Sequence, residues 1–211
     1  MVVLDNPNRE NEGDLIIAAE DATTAKLSFM IRYTSGYICA PLPGWRCAEL
    51  ELPAMVTDNQ DPHRTAYTVT VDANTADDGV AVTTGISAHD RAVTARRLAD
   101  PASGPAAFRR PGHVIPLRAR DGGVRQRQGH TEAAVELCRL AGKKPAALLC
   151  EMVLDGEEVA PRVAEFVGGG MMRRDDCLAF GKKWGLRVCT IEDLVRYVED
   201  RDGPLPASAK A

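Results

Sequence analysis

The sequence predicts an α/β (α+β) fold: a single-domain, three-layer sandwich in which a mixed β-sheet is covered by helices on both faces. Three observations carry this. Short apolar runs of strand length alternate with amphipathic helical stretches along the chain. Some neighbouring strands, such as Val2–Leu4 and Leu15–Ala19, are joined by loops too short for parallel crossovers, so the sheet must be mixed. The chain has 211 residues, 45% of them hydrophobic, enough for one large core. The domain is expected over residues 1–200, with a disordered tail over 201–211.

In order, Val2–Leu4 and Leu15–Ala19 read as strands around a charged loop. A helix follows from Asp21 to Tyr33, opening near Thr23–Thr24. Gly36–Ala40 reads as a buried strand ended by Pro41 and Pro43, and the β-branched run Ala66–Val71 as another. Residues 73–82 form a polar loop. Ser87 suits the N-cap of a helix over 88–98 that stops at Asp100–Pro101. A flexible connection, Ala102–Arg110, leads to the strand-like Gly112–Leu117. Thr131–Ala141 places Ala134, Leu137, Cys138 and Ala141 on one face, with Gly142 as a left-handed terminator. Ala146–Val153 is a buried strand, and Gly168–Gly170 a surface loop. A helix near 175–184, a strand over 186–190 and a helix from Ile191 complete the chain.

A net charge of −4 argues against a nucleic-acid or membrane-surface binder, and no apolar run reaches bilayer length. No signal peptide is visible. Six cysteines without a Cys-x-x-Cys pair fit buried thiols in a reducing, cytoplasmic setting rather than a zinc site.

The loop Arg9-Glu10-Asn11-Glu12-Gly13-Asp14 places three carboxylates within five positions. Such crowding is relieved either by solvation or by a hard divalent ion with oxygen ligands. An EF-hand is excluded: with Asn8 as first position, the twelfth is Ala19 rather than glutamate. Arg127-Gln128-Gly129-His130-Thr131 immediately precedes the clearest helix. It suits a phosphate cradle with His130 beside a metal, or a plain cap with Thr131 as N-cap. His113 follows two arginines on an irregular segment, as a general acid/base or as part of a basic turn. Glu151 interrupts an apolar run and is a proton-transfer candidate if it faces the core. The polar loops 55–65 and 83–91 offer hydroxyls and Asp/Arg pairs suited to a polyol phosphate or to capped turns.

Six stretches, in order, resemble the 3,4-dihydroxy-2-butanone 4-phosphate synthases of riboflavin biosynthesis: Arg9–Leu15, Arg32–Gly36, Asp61–Ala66, Thr83–Ala88, Phe108–His113 and Gly129–Ala133. The similarity runs from Val2 to about Tyr197, and the ending from Asp175 to Leu194 is most similar to fungal, monofunctional members. The resemblance implies a lyase that converts ribulose 5-phosphate to 3,4-dihydroxy-2-butanone 4-phosphate and formate, through an enediolate and a skeletal rearrangement. It implies magnesium or manganese held by Glu10 and His130. It also implies substrate contacts from Arg9, Glu10, Asp14, Arg127, Gln128, Gly129, His130, Thr131 and Glu151, and catalysis by His113 and Glu151. Cys39 and Asp61 match positions near the family's pocket. A homodimer with active sites near the interface is implied, without nucleic-acid or membrane partners. The family's usual helix before the first strand is missing, and the loop over 73–82 and the segment 155–170 are longer than usual. Rival readings are another metal-dependent sugar-phosphate aldolase or isomerase, and a non-catalytic nucleotide- or RNA-binding module.

Overall fold

The computed structural model describes residues 1–75, 82–161 and 163–206. Nine strands and six α-helices are found among them: β1 (Val2–Leu4), β2 (Gly13–Ala18), α1 (Thr24–Tyr33), β3 (Cys39–Pro43), α2 (Gly44–Glu49), β4 (Val71–Ala73), α3 (Ala88–Ala99), β5 (Phe108–Ala119), α4 (His130–Leu140), β6 (Ala147–Glu151), β7 (Glu157–Glu158), β8 (Phe166–Val167), α5 (Arg174–Trp184), β9 (Val188–Thr190) and α6 (Ile191–Asp202). Seven strands form one mixed sheet in the order β4-β5-β3-β6-β2-β1-β9, and β7 and β8 form a separate hairpin. Both the mixed sheet and the single domain match the expectation.

Period-two alternation sends successive strand residues to opposite layers. Val2, Leu4, Leu15, Leu148 and Cys150 join Leu27 and Met30 of α1, Ala95 and Leu98 of α3 and Phe180 of α5 in one core. Val3, Ile16, Cys39, Ile115 and Leu149 join Ala133, Ala134 and Cys138 of α4 and Leu194 and Val198 of α6 in the other. These two cores make the three layers. On the first face, Phe29 and Tyr33 of α1 meet Phe180 and Trp184 of α5, with ring centroids 5.0–6.1 Å apart. Caps fall where the sequence puts them: Thr23 accepts from the Lys26 amide, and Ser87 from that of Asp90.

Four local expectations are corrected. Pro41 lies inside β3 rather than ending it, and the strand stops at Pro43 as expected. The antiparallel neighbour β6 pairs with β3 only at Cys39↔Leu149, so beyond that residue the edge facing β6 has no ladder bond for proline to remove. The run Ala66–Val71 reaches strand geometry only at Val71. Before it the chain makes isolated bridges, Ala54↔Thr68 and Tyr67↔Leu117, because its neighbours supply single contacts rather than a ladder. The connection expected through Arg110 is part of the twelve-residue β5. Its pairing with β4 jumps from Val71↔Val114 to Asp72↔Arg109, so residues 110–113 bulge out of the ladder. Thr131 is not a cap: α4 begins at His130 with Gly129 as N-cap, and Gly142, at φ +66°, follows its C-terminus as expected.

The helix α6 runs to Asp202, and Arg125 donates to the Gly203 carbonyl at 2.6 Å. Residues 207–211 of the expected tail, and most of the polar loop at 73–82, lie outside the described residues. Among the described residues no helix is long and apolar enough to cross a membrane.

Candidate metal and proton-transfer site

The acidic loop joins the antiparallel neighbours β1 and β2, so both of its ends are fixed by the sheet. Its shape is set from within by Asp5, a buried carboxylate directly after β1 that sequence reasoning missed. The Asp5 carboxylate accepts from the amides of Glu10 and Glu12, both at 2.9 Å, and from Arg9 Nη1 at 3.1 Å. The signal was an aspartate immediately following an apolar strand, the place where a side-chain turn forms. Asn11 takes φ +55° at the crest, and Arg9 also contacts the Glu10 carboxylate.

Across the loop, His130 is the first residue of α4 and is buried. Its Nε2 lies 3.1 Å from the Val3 carbonyl, which can only accept, so Nε2 carries a proton. Nδ1 is left facing Glu10 Oε2 and Asp14 Oδ2, each at 3.8 Å. Asp14 is on β2 opposite Glu151 of β6. Each is two residues from a side chain of the α4-facing core, Ile16 and Leu149, so both carboxylates point to the α4 side.

The electrostatics follow from burial and crowding. Burial pushes the Asp14 carboxyl up to about 7, helped by Glu151, Glu12 and Glu10 and opposed by His130. Burial, with the charge of Glu10, raises Glu12 to about 7 as well. For Glu10 burial is overridden by the facing His130 imidazole and the Arg9 charge, which bring it to about 2. Burial disfavours the His130 cation, but Asp14 and Glu10 outweigh it and hold the imidazole at about 9.

Do these residues fit a hard cation? Asp14 Oδ1 is buried with no hydrogen-bond partner, an acceptor waiting for a positive ligand. Glu12, Asp14 and His130 bring one ligand atom each within 4.8 Å of one another, as do Asp5, Glu10 and His130. Octahedral ligands at about 2.1 Å stand roughly 3.0 Å apart when adjacent and 4.2 Å when opposite, and the 3.8 Å spacings fall between. Asp5 already accepts from three donors that shape the loop, so Glu10, Glu12, Asp14 and His130 are the less engaged set. They fit.

The other expected residues are spread around this centre. Glu151 is half-buried, and its Oε2 lies 3.2 Å from Ser35 Oγ, a donor the sequence did not single out. His113 sits in the bulge of β5, two strands from β6 by way of β3, hence about 10 Å from the strand of Glu151. It belongs to a unit of its own. Asp72, buried at 1% exposure, receives the His113 amide at 2.9 Å and lies 2.8 Å from Nδ1, while Arg109 Nε approaches it at 3.6 Å. Asp72 was missed too; its one signal is a carboxylate directly after a β-branched run.

Arg127 does not stand free for an anion. It donates to Glu132 at 2.6 Å, to the His63 carbonyl at 3.2 Å and to Thr65 Oγ1 at 3.0 Å, tying the 59–65 loop to α4. That loop carries His63, 3.8 Å from Glu10 and a further residue the sequence left unassigned. Asp61 closes the loop's turn by accepting from the Thr65 amide at 2.8 Å. Gln128 is exposed and, with Arg9, Asn6 and Asn8, lines a cavity of 340 Å³ beside the acidic loop. Gly129 leaves no room for a side chain beside the Arg127 guanidinium. Thr131 is buried. Cys39 is buried on β3, and burial raises its thiol well above the ordinary range.

A family model described as 3,4-dihydroxy-2-butanone 4-phosphate synthase matches residues 1–197. A protein of that name from Pyricularia oryzae is 58% identical over 205 residues, covering 97% of this chain and 86% of its own. One from Schizosaccharomyces pombe is 52% identical over 203 residues, covering 95% and 91%. A crystal structure of a 3,4-dihydroxy-2-butanone 4-phosphate synthase in complex with two magnesium ions superposes with a TM-score of 0.92 at 59% identity, covering 97% of this chain and 93% of that one. With the family model spanning residues 1–197 and relatives above 50% identity over nearly the whole chain, the chain belongs to the 3,4-dihydroxy-2-butanone 4-phosphate synthase family.

Proposed function

We propose that this protein is a lyase of riboflavin biosynthesis that converts ribulose 5-phosphate to 3,4-dihydroxy-2-butanone 4-phosphate and formate. One observation carries the chemistry: four ionisable side chains converge beneath the N-terminus of α4 around a buried carboxylate oxygen with no partner. Magnesium fits that set, with manganese as an alternative. Glu10 and the Nδ1 atom of His130 hold it, and Asp14 and Glu12 lie alongside. When bound, such an ion stabilises negative charge developing on substrate oxygens.

The chain's own groups supply the rest. Val3 fixes the His130 ring through Nε2, which keeps Nδ1 aimed at the carboxylates. Glu151, oriented by Ser35, is the proton-transfer group on the sheet floor next to Asp14. His113, backed by Asp72 on its Nδ1, exchanges protons through Nε2. Arg9 and Asp14 on one side, and Gln128, Gly129 and Thr131 at the start of α4 on the other, bracket the sugar phosphate; the free amides of that helix end suit an anionic group. Arg127 contributes by holding this segment against the 59–65 loop. Cys39 and Asp61 bound the pocket without bonding to the metal centre. The separation of His113 from the metal centre supports assembly as a homodimer, with each active site near the subunit interface. The six free cysteines, and the absence of a spanning helix among the described residues, are consistent with a cytoplasmic enzyme.

The test is incubation with ribulose 5-phosphate, with magnesium or with chelator, and assay of formate. Metal-dependent formate is expected from the wild-type chain and none from Glu10→Gln or His130→Ala. A different metal-dependent sugar-phosphate product without formate would favour an aldolase or isomerase instead.

A further inference from the structure

The acidic loop is gripped from outside as well as from within. Asp5 binds its amides, and Arg173 binds its carbonyls: Nη1 donates to the Glu10 carbonyl at 3.1 Å and also to that of Asn11. These are the two residues that lead from Glu10 to Glu12, and Asn11 between them has positive φ. Together the two grips fix both edges of the peptide units that aim the Glu10 and Glu12 carboxylates at His130.

The position of Arg173 is itself built in. It is the N-cap residue of α5, and its own amide is held by Asp176 Oδ2 at 2.9 Å, a bond that does not involve its side chain. The preceding residue donates from its amide to the Met152 carbonyl at 2.9 Å, and Met171 bridges Val153, so the approach to α5 is seated on the end of β6 beside Glu151. One turn into α5, Cys177 packs on Gly13 so closely that a Cβ there would lie 2.6 Å from its Sγ. The helix and the loop share one rigid footing.

We infer that Arg173 is a positioning residue for the metal centre, holding the crest of the acidic loop so that its carboxylates present a preformed ligand set. The inference rests on the proposed metal reading of Glu10 and His130.

The sign of the effect separates positioning from charge. Arg173 is a cation beside a cation site, so through electrostatics alone its removal tightens metal binding. Removing a positioning contact weakens it, by about 10- to 100-fold for partners that orient metal ligands. Because the side chain is largely exposed, its loss changes global stability little.

The experiment titrates the full chain with Mn²⁺, reading free ion by electron paramagnetic resonance and folding by thermal melting. Variants are Arg173→Gln, Arg173→Lys, and Arg174→Gln as an exposed, charge-matched control. Expected are a dissociation constant raised about tenfold or more for Arg173→Gln, partial rescue by lysine, no loss of affinity for Arg174→Gln, and melting temperatures near wild type for all three. Unchanged or tighter binding by Arg173→Gln overturns the inference, as does an equal loss in Arg174→Gln. A melting temperature that collapses in Arg173→Gln also overturns it, since the residue is then a structural prop. Glu10→Gln and His130→Ala run alongside: if they bind Mn²⁺ like wild type, the metal reading has failed rather than the positioning role.

Discussion

Substituting Gly112 by alanine probes whether the β5 bulge exists to present His113. A Cβ at Gly112 would lie inside 3.0 Å of the Val71 carbonyl carbon, the Val71 oxygen and the Asp72 nitrogen. All three are backbone atoms, so no rotamer change relieves the clash; either β4 or the bulge must move. Asp72 is one of those atoms' owners, and it holds His113 through two contacts at 2.8 and 2.9 Å. Overpacking of this kind costs about 1–3 kcal/mol of stability. A misplacement of about 1 Å at a reacting group costs about 100-fold in rate, or about 2.7 kcal/mol in the barrier. The expectation for Gly112→Ala is therefore a folded protein with kcat for formate release down about 100-fold and Mn²⁺ binding at Glu10 and His130 intact. Steady-state formate assay, thermal melting and Mn²⁺ titration read the three quantities. Gly104→Ala, whose Cβ meets nothing within 4 Å, is the control. Wild-type kcat in Gly112→Ala would refute the reasoning, and so would a fall matched by Gly104→Ala.

Three further outcomes are expected. Asp72→Asn keeps the shape of the His113 pair but removes its charge, so kcat should fall by about 10²- to 10⁴-fold with little change in melting temperature; an unaltered pH–rate profile would count against the pair. In metal-free protein the carboxyls of Glu12 and Asp14 are raised to about 7 and His130 to about 9. Groups raised in the fold stabilise fully below their unfolded values, about 4 and 6.5, and lose that contribution as pH climbs through the folded ones. Melting in chelator should thus decline from pH 5 to 9, and magnesium should flatten the decline; a rise with pH in chelator would contradict the assignment. Finally, Leu148 is fully buried in the core under α1 and α3, and Leu148→Ala should cost about 2–5 kcal/mol in denaturant unfolding, against a negligible cost predicted by a loosely packed sheet.

What the sequence disclosed and what it hid divide along the range of the interactions. The helix caps at Thr23 and Ser87 and the terminator Gly142 are local signals, readable because cap and helix are neighbours in the chain. The acidic loop was visible as a density of carboxylates, and His130 as a residue of the segment just before the strongest helix. Their meeting was not visible, because it depends on the sheet bringing β1 and the loop after it to the N-terminus of α4. Asp72 and His63 went unassigned for the same reason: each acts on a partner supplied by a different strand or loop. Arg127 shows the opposite error. Its place before a helix suggested an anion site, but Glu132, five residues on, claims the guanidinium. The Arg-Arg-Pro-Gly run resembled a turn, and only the pairing of its flanks with β4 makes it a bulge within a strand.

The bond between His130 and Val3 has a consequence for the order in which the protein matures. It spans 127 residues, and the grip of Arg173 on Glu10 spans 163. The acidic loop leaves the ribosome well before His130 and Arg173, so only the local grip of Asp5 is available to it at first. At roughly 5–20 residues per second the loop waits about ten to thirty seconds for Arg173. A nascent chain therefore carries its crowded carboxylates without the distant partners that orient them, and the site is completed in steps, His130 before Arg173.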